Sequence, residues 1–521
     1  MHAFRSLLFL SSALYVSIIC SIHDTRFQGV TWDDTAWVVK TTNLDQGHYQ
    51  SRLSIANGYL GINVAAVGPF FEQDVQVNGD NVNGWPLFNL RQTFATIAGF
   101  FDSQPTTEGT NFPWLGQYGW DSVISGVPHW GGVVLDCNGP NGVYLYANVD
   151  STTISDFSSS LDAKRGVATW SYTWKPKGID TTFDIAYTMF AHKLYIGQAI
   201  VQMQVTPSTD VMCSIVNILD GTSAVRANFE ESGMSEETGG NQIYTAVTPY
   251  GLDNVTAYLY SAMDVTPSLD DSSYARVTDS REYIGGNKSS IAQEVHGKLK
   301  AKQTTVATKY VGAATSDGFS DPKRLAQLYC TQSQSNGYDA SLRTHVGEWA
   351  TVFKDDSVDV YSSAEDDALP DDELIVESAI TAVLNQYYLL QNTISANALA
   401  NITNDETDAS SDANVAPLDS WSMSVCGLAS DCYGGQVFWD ADIWIQPGLV
   451  LSHPQAAKQI AEYRAGRYDQ AKANAQTSYQ SSKAGKTFGK DTAVFPWTSG
   501  RFGNCTATGP CFGMLYLFLN R

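Results

Sequence analysis

The fold of this chain is constrained most by short segments in which apolar and polar residues alternate, spread over residues 25–300. Within residues 198–206, for example, alanine, valine and methionine occupy alternate positions, and glutamine occupies most of the positions between them. Glycine, asparagine and aspartate separate the segments. A period of two residues bounded by turn formers predicts antiparallel β-strands, and many such strands predict a large β-sandwich domain.

Beyond this region the spacing of apolar residues becomes helical. Apolar residues recur every three or four positions within 321–355, which predicts a helix in a linker segment. Residues 371–392 carry a second apolar stripe, and we expect an inner helix there. A third helix is predicted over 452–478, where Ser452 and Gln455 form a capping-box pattern. At 521 residues the chain is too long for one ordinary core, so we expect at least two domains.

The charge argues against a nucleic-acid partner, and the N-terminus predicts a secreted protein. With 54 acidic and 31 basic residues, the chain lacks the basic surface that a phosphate backbone requires, so we expect no nucleic-acid partner. The apolar run from Leu7 to Ile19 predicts a signal peptide over residues 1–21, because it is too short to span a membrane. After cleavage we expect no membrane association. Four glycosylation sequons agree with secretion: Asn254, Asn287, Asn401 and Asn504.

The cysteine count is odd once the signal peptide is removed. Loss of Cys20 leaves seven of the eight cysteines, so at least one has no partner within the chain. Two local pairs are candidates for disulfides, and they are Cys505 with Cys511 and Cys426 with Cys432.

Aromatic and acidic residues are most concentrated in the segment 438–444, with sequence FWDADIW. Such residues are typical of sugar sites, where a ring contacts the pyranose C–H groups and a carboxylate accepts hydrogen bonds from hydroxyls. An aromatic core turn with a helix-capping aspartate explains the composition equally well. A second segment, 495–501 (FPWTSGR), either walls a pocket or serves packing alone. Arg464, on the third predicted helix, either reaches a buried carboxylate or lies on a solvated face.

Signals for other chemistries do not occur in the sequence. It has no His-Glu-x-x-His, no Cys-x-x-Cys, no Gly-x-Ser-x-Gly and no phosphate-binding loop. We therefore expect neither a metal nor a cofactor.

Four motifs follow one another along the chain, and they are Asn57-Gly58-Tyr59-Leu60-Gly61, Val437-Phe438-Trp439-Asp440, Tyr463-Arg464 and Phe495-Pro496-Trp497. Their order resembles glycoside hydrolase family 65, and within it the fungal acid trehalases. The resemblance implies a multidomain protein with a super-β-sandwich, a helical linker and an (α/α)6 barrel. The expected boundaries are 1–21 for the signal peptide, 25–300 for the sandwich, 301–370 for the linker and 371–521 for the N-terminal part of the barrel.

The resemblance also implies inverting hydrolysis of trehalose to glucose by two carboxyl groups. The substrate-binding residues that it implies are Phe438, Trp439, Asp440, Trp497 and Arg501. A proton-donating glutamate is expected just beyond Phe512, yet no acidic residue follows Asp491. We therefore expect the catalytic acid and base to be missing from this chain.

Two alternatives stay open at this stage. A secreted, non-catalytic carbohydrate-binding protein or pseudoenzyme needs no catalytic acid or base. A disaccharide phosphorylase uses phosphate in place of the base and water, but a signal peptide argues against it because phosphorolysis suits the phosphate-rich cytosol. For the hydrolase we expect trehalose as the small-molecule partner and the cell exterior, cell wall, periplasmic space or vacuole as the location, with the oligomeric state left open.

Overall fold

The computed structural model describes residues 22–48, 52–73, 92–103, 122–137, 142–235, 241–269, 273–402, 418, 421–477, 491–504 and 506. The predicted signal peptide, the predicted pair of Cys505 with Cys511, and Phe512 lie outside these residues. None of the helices in the described part of the chain is both long enough and apolar enough to cross a membrane.

The described chain consists mainly of strands as far as Thr315. The first strands are β1 (Ile22–Asp24), β2 (Val30–Asp33), β3 (Val38–Thr41), β4 (Leu53–Ala56), β5 (Leu60–Val64), β6 (Ala95–Ile97), β7 (Val133–Asp136), β8 (Tyr144–Leu145), β9 (Ile154–Asp162) and β10 (Val167–Trp174). They are followed by β11 (Phe183–Ala191), β12 (Gln198–Pro207), β13 (Val211–Leu219), β14 (Ala227–Met234), β15 (Gln242–Pro249), β16 (Ala257–Thr266), β17 (Ala275–Arg276), β18 (Ile291–Leu299) and β19 (Thr305–Thr315). A later pair is β20 (Val437–Phe438) and β21 (Thr498–Ser499).

Two large antiparallel sheets pack against each other. Among the described residues, the larger sheet has eleven strands in the order β1-β2-β3-β9-β10-β11-β12-β19-β16-β15-β14, and the second has five in the order β17-β18-β13-β7-β8. Contacts cross between them: the hydroxyl of Tyr187 in β11 donates to the carbonyl of Val133 in β7 at 3.0 Å. The large sheet-rich N-terminal domain that the alternating pattern predicts is confirmed.

The larger sheet continues past residue 300, where the sequence places the start of the linker. Strand β19 is buried along nearly its whole length, between β12 and β16. Helix α1 (Pro322–Val352) covers it so closely that a Cβ on Gly312 would lie 2.0 Å from the carbonyl oxygen of Ala326. A strand buried on both faces has no alternating pattern, which is why the period of two does not extend to β19.

The remaining helices are α2 (Glu373–Leu390), α3 (Ala396–Asn401), α4 (Gln446–Leu449), α5 (Pro454–Gly466) and α6 (Tyr468–Thr477). Helices α1 and α2 lie where the sequence predicts helices, and a helical region follows the sheets. The predicted helix over 452–478 is two helices, separated at Arg467. The capping box is wrong: His453 occupies the N-cap, because Pro454 with its fixed φ takes the first helical position.

The early motif at residues 57–61 joins the sheets to the helical region. Gly58 has a φ of +98°, and a Cβ there would lie 2.1 Å from the backbone carbon of Thr393. A Cβ on Gly61 would lie 2.5 Å from the Cβ of Leu428. Only glycine permits such close backbone approach, so both glycines are explained by packing between domains.

Candidate functional site

Strand pairing brings the two aromatic segments together. Strands β20 and β21 form an antiparallel pair in which Phe438 lies opposite Thr498. One residue further along, the amide of Trp439 donates a hydrogen bond to the carbonyl of Trp497 at 3.0 Å. The segments that the sequence presents separately are therefore neighbours in the fold.

The side chains around this strand pair form an aromatic surface beside a carboxylate. The ring centroids of Phe438 and Trp497 are 5.8 Å apart at an interplanar angle of 90°, and Tyr433 contacts Phe438 at 5.5 Å. Trp497 is 44% exposed, and Asp440 is also exposed. An exposed indole and an exposed carboxylate are groups of the kind that contact a pyranose ring, whereas a buried core turn does not leave these two side chains in solvent.

A wide helical turn follows Asp440. Residues Ala441–Ile445 form a π-helix that continues into α4. Single π turns occur often at functional sites, because the extra residue per turn shifts side chains out of α-helical register. Within it, Asp442 accepts a hydrogen bond from Nε of Arg464 at 2.8 Å. Burial raises the pKa of Asp442, while the charge of Arg464 opposes the rise. Of the two alternatives for Arg464, a contact with a carboxylate is the one observed, and that carboxylate is partly buried.

Helix α5 holds strand β21, which directly follows Trp497. The hydroxyl of Tyr463 donates to the carbonyl of Gly500 at 2.6 Å and lies 2.7 Å from Oγ of Ser499. Nη1 of Arg464 donates to the same serine oxygen at 3.1 Å. The Tyr-Arg motif therefore positions β21 from behind and places the aromatic surface.

The turn before β20 is held in an uncommon conformation. Tyr433 and Gly434 have φ values of +52° and +68°. For a tyrosine this conformation costs about 1–3 kcal/mol and persists only when surrounding contacts impose it. A disulfide between Cys426 and Cys432 closes the preceding loop. From the sheet-rich domain, the amide of Ile124 donates to the carbonyl of Gly434 at 2.9 Å.

Arg501 lies apart from the exposed aromatic surface. Its Nη1 and Nη2 donate to the two carboxylate oxygens of Asp317 at 2.5 and 2.6 Å, and both side chains are buried. Nη1 also donates to the carbonyl of Gly99 at 3.1 Å. This geometry ties β21 to the end of the sheet-rich domain and gives no support to Arg501 as a sugar ligand. Sequence reasoning missed Asp317, because no local pattern links residues 184 positions apart.

Two family models match the chain. The model described as "Glycosyl hydrolase family 65, N-terminal domain" matches residues 39–352, and the model described as "Glycosyl hydrolase family 65 central catalytic domain" matches residues 412–510. The chain belongs to glycosyl hydrolase family 65. Both aromatic segments of the site lie within the second match.

Curated relatives extend the comparison. This family 65 chain is 52% identical over 492 residues to the "Cell wall acid trehalase" of Arthroderma benhamiae. The aligned residues make up 94% of this chain and 45% of that protein. It is 50% identical over 494 residues to the "Acid trehalase" of Emericella nidulans, covering 95% of the chain and 45% of that protein. The chain thus spans somewhat less than half the length of these relatives.

A solved structure supports the fold. A "Putative kojibiose phosphorylase from human microbiome" matches with a TM-score of 0.62 at 14% identity, covering 90% of this chain and 53% of that one. At this identity the likeness concerns the fold alone. It agrees with a sheet-rich domain followed by a helical region.

The remaining positions concern disulfides, glycosylation and metal binding. A second disulfide, which the sequence analysis did not propose, joins Cys137 to Cys213 across 76 residues. Among the sequons, the exposed asparagines are Asn254, Asn287 and Asn401, whereas Asn504 is only 7% exposed. A glycan needs an accessible amide, so exposure favours the first three. Within the described residues, no three His, Cys, Asp or Glu side chains are grouped as metal ligands would be.

Proposed function

We propose that this family 65 protein hydrolyses α,α-trehalose to glucose outside the cytoplasm, at the cell wall or in the periplasmic space. The observation that carries the proposal is the exposed aromatic and carboxylate surface at β20 and β21, in a chain about half identical to fungal acid trehalases over nearly its whole length. The helical region is proposed to be the first part of an (α/α)6 barrel.

In this proposal the strand pair holds one glucose unit. Trp439 and Asp440 bind the ring in the subsite being cleaved, with Phe438 supporting them and Trp497 contacting the C–H face of the sugar. The Asp440 carboxylate accepts hydrogen bonds from adjacent hydroxyls, and such bonds to a charged acceptor contribute about 1.5–3 kcal/mol each. The ion pair of Asp442 with Arg464 keeps the π turn, and thus Asp440, in place.

Inverting hydrolysis also requires a proton donor and a base, about 6.5–9.5 Å apart, on opposite faces of the scissile bond. By the family resemblance these carboxyl groups belong beyond Phe512, where residues 513–521 contain no aspartate or glutamate, so we propose that they lie in the part of the relatives' length that this chain does not span. The residues around the strand pair therefore supply binding and orientation, which fix the sugar relative to the reacting water.

The binding role is tested by trehalose titration followed by calorimetry. Asp440→Asn and Trp497→Ala should each weaken binding roughly tenfold or more, because each removes a direct contact. Tyr250→Ala is the matched control: Tyr250 is also partly exposed, at 37%, but lies in the sheet-rich domain. Equal affinity in all four proteins would refute the site.

The reaction is tested separately by glucose release from trehalose with and without phosphate. Release without phosphate supports hydrolysis. Release that depends on phosphate would instead identify a phosphorylase. Trehalose binding with no turnover in either buffer, by a protein that carries both carboxyl groups, would favour the carbohydrate-binding alternative.

A further inference from the structure

The helix that follows Asp440 exposes an apolar face. Trp444 is 72% exposed and Leu451 is 94% exposed, and Pro447 and Gly448 between them are exposed as well. Spacings of three, four and seven residues place all four on one side of the helix, and we name this surface the α4 face. Residues 443–451 carry no charged side chain. A helix at the surface of a soluble protein normally turns polar residues outward, so the α4 face calls for a cover.

The C-terminal segment of the chain has a matching composition. Residues 512–519 read FGMLYLFL, in which every residue except the glycine has a large apolar or aromatic side chain. No charged residue occurs between Arg501 and Arg521. Apolar side chains are driven out of water in proportion to their area, so this segment needs an apolar partner as much as the α4 face does.

The other segments outside the described residues match the α4 face less well. Residues 403–417 contain four acidic side chains, and residues 478–490 contain three lysines. Burying such charges against an uncharged surface is costly. Residues 74–91 and 104–121 contain aromatic residues, but each of these segments begins and ends in the sheet-rich domain. The composition and the course of the chain therefore favour residues 512–519 as the cover.

The C-terminal segment starts close to the α4 face. The amide of Thr506 donates to the carbonyl of Thr498 at 3.2 Å, and Thr498 lies opposite Phe438 in the strand pair. Trp444 follows Phe438 by only six residues. An extended chain covers about 3.3 Å per residue, so Phe512 can lie up to about 20 Å from Thr506. The α4 face is only about 10 Å long at a helical rise of about 1.5 Å per residue, which puts it within reach.

We propose that residues 512–519 dock on the α4 face and shield it from water. The contact joins two uncharged apolar surfaces, so no charge loses its hydration when it forms. Because Trp444 lies four residues after Asp440, the docked segment also restrains the helix whose first turn carries this exposed carboxylate. The inference does not depend on which sugar the strand pair binds or on whether that sugar is hydrolysed.

Photocrosslinking of the full chain tests the contact. The probe p-benzoylphenylalanine replaces Trp444, where exposure makes the exchange harmless to the core, and irradiation is followed by proteolysis and mass spectrometry. The probe should crosslink to the peptide that contains residues 512–519 of the same chain. Mixing ¹⁴N-labelled and ¹⁵N-labelled chains distinguishes this result from a contact with a second copy. The control places the probe at Phe229, which is 39% exposed in β14 and should not crosslink to that peptide.

Two further changes test the contact from both sides. Leu515→Asp with Leu517→Asp should lower the crosslink yield roughly tenfold or more, because the segment would then bury two carboxylates. Leu451→Asp should raise the rate at which carboxypeptidase removes the C-terminal residues, again roughly tenfold or more, since an undocked segment is open to the enzyme. Met212→Asp is the matched control, because Met212 is 48% exposed but lies in β13.

Four outcomes would overturn the proposal. They are crosslinks that carry mixed isotopes, which would identify a second copy as the cover; crosslinks to a different segment; no crosslink at all; and a trimming rate that Leu451→Asp raises no more than Met212→Asp does.

Discussion

Replacing Arg501 with methionine should destabilise the junction between the sheet-rich domain and the helical region. The substitution keeps most of the side-chain volume but removes both donors to Asp317, a pair whose side chains are 2% and 5% exposed. The aspartate would then remain charged and buried without its main partner. Breaking a buried ion pair from one side costs about 3–5 kcal/mol. Against a total stability of roughly 5–15 kcal/mol, this loss is large.

Thermal and urea unfolding, followed by tryptophan fluorescence, measure the effect. The double variant Arg501→Met with Asp317→Leu should recover most of the stability, because no charge is left buried. The control is Lys177→Met, which removes an ion pair with Asp150 whose side chains are 78% and 44% exposed, so no measurable change is expected. The reasoning fails if Arg501→Met lowers the unfolding midpoint no more than the Lys177 control does.

Three further predictions concern other parts of the molecule. Gly58→Ala should lower the free energy of unfolding by about 1–3 kcal/mol or more, because the added methyl group overpacks against Thr393. Gly347 is a helical position with open space around it, so Gly347→Ala should leave the free energy of unfolding unchanged or raise it. Burial lowers the pKa of His129 to about 3, so between about pH 6.5 and 3 the unfolded state binds a proton that the folded state does not, and stability should fall as pH falls. His129→Gln should reduce that slope in a series of melting curves, and an unchanged slope would contradict the assignment. Cys330 is a buried free thiol and should react with iodoacetamide only after unfolding in urea; labelling of the native protein would show that it is accessible.

The local patterns of the sequence determined much of the architecture. Alternation predicts the sheets best at strands such as β10 and β11, each of which has one face in the core and one facing outward. Helical spacing likewise predicts α1 and α2. The same reasoning fails at β19, which is covered on both sides, and at the start of α5, where Pro454 sets the N-cap one residue later than the capping pattern indicates.

For the candidate site, the sequence by itself determined which residue types are present, including Phe438, Trp439, Asp440 and Trp497. Only the tertiary structure decided how they are used. The pairing of β20 with β21 joins the segments, and the ion pair with Asp317 removes Arg501 from the exposed surface. Composition describes each residue's chemistry, whereas exposure and partners depend on segments that folding brings together from distant parts of the chain. Such long-range pairings leave no periodic signal in a single sequence, which is why the structure was needed to reveal them.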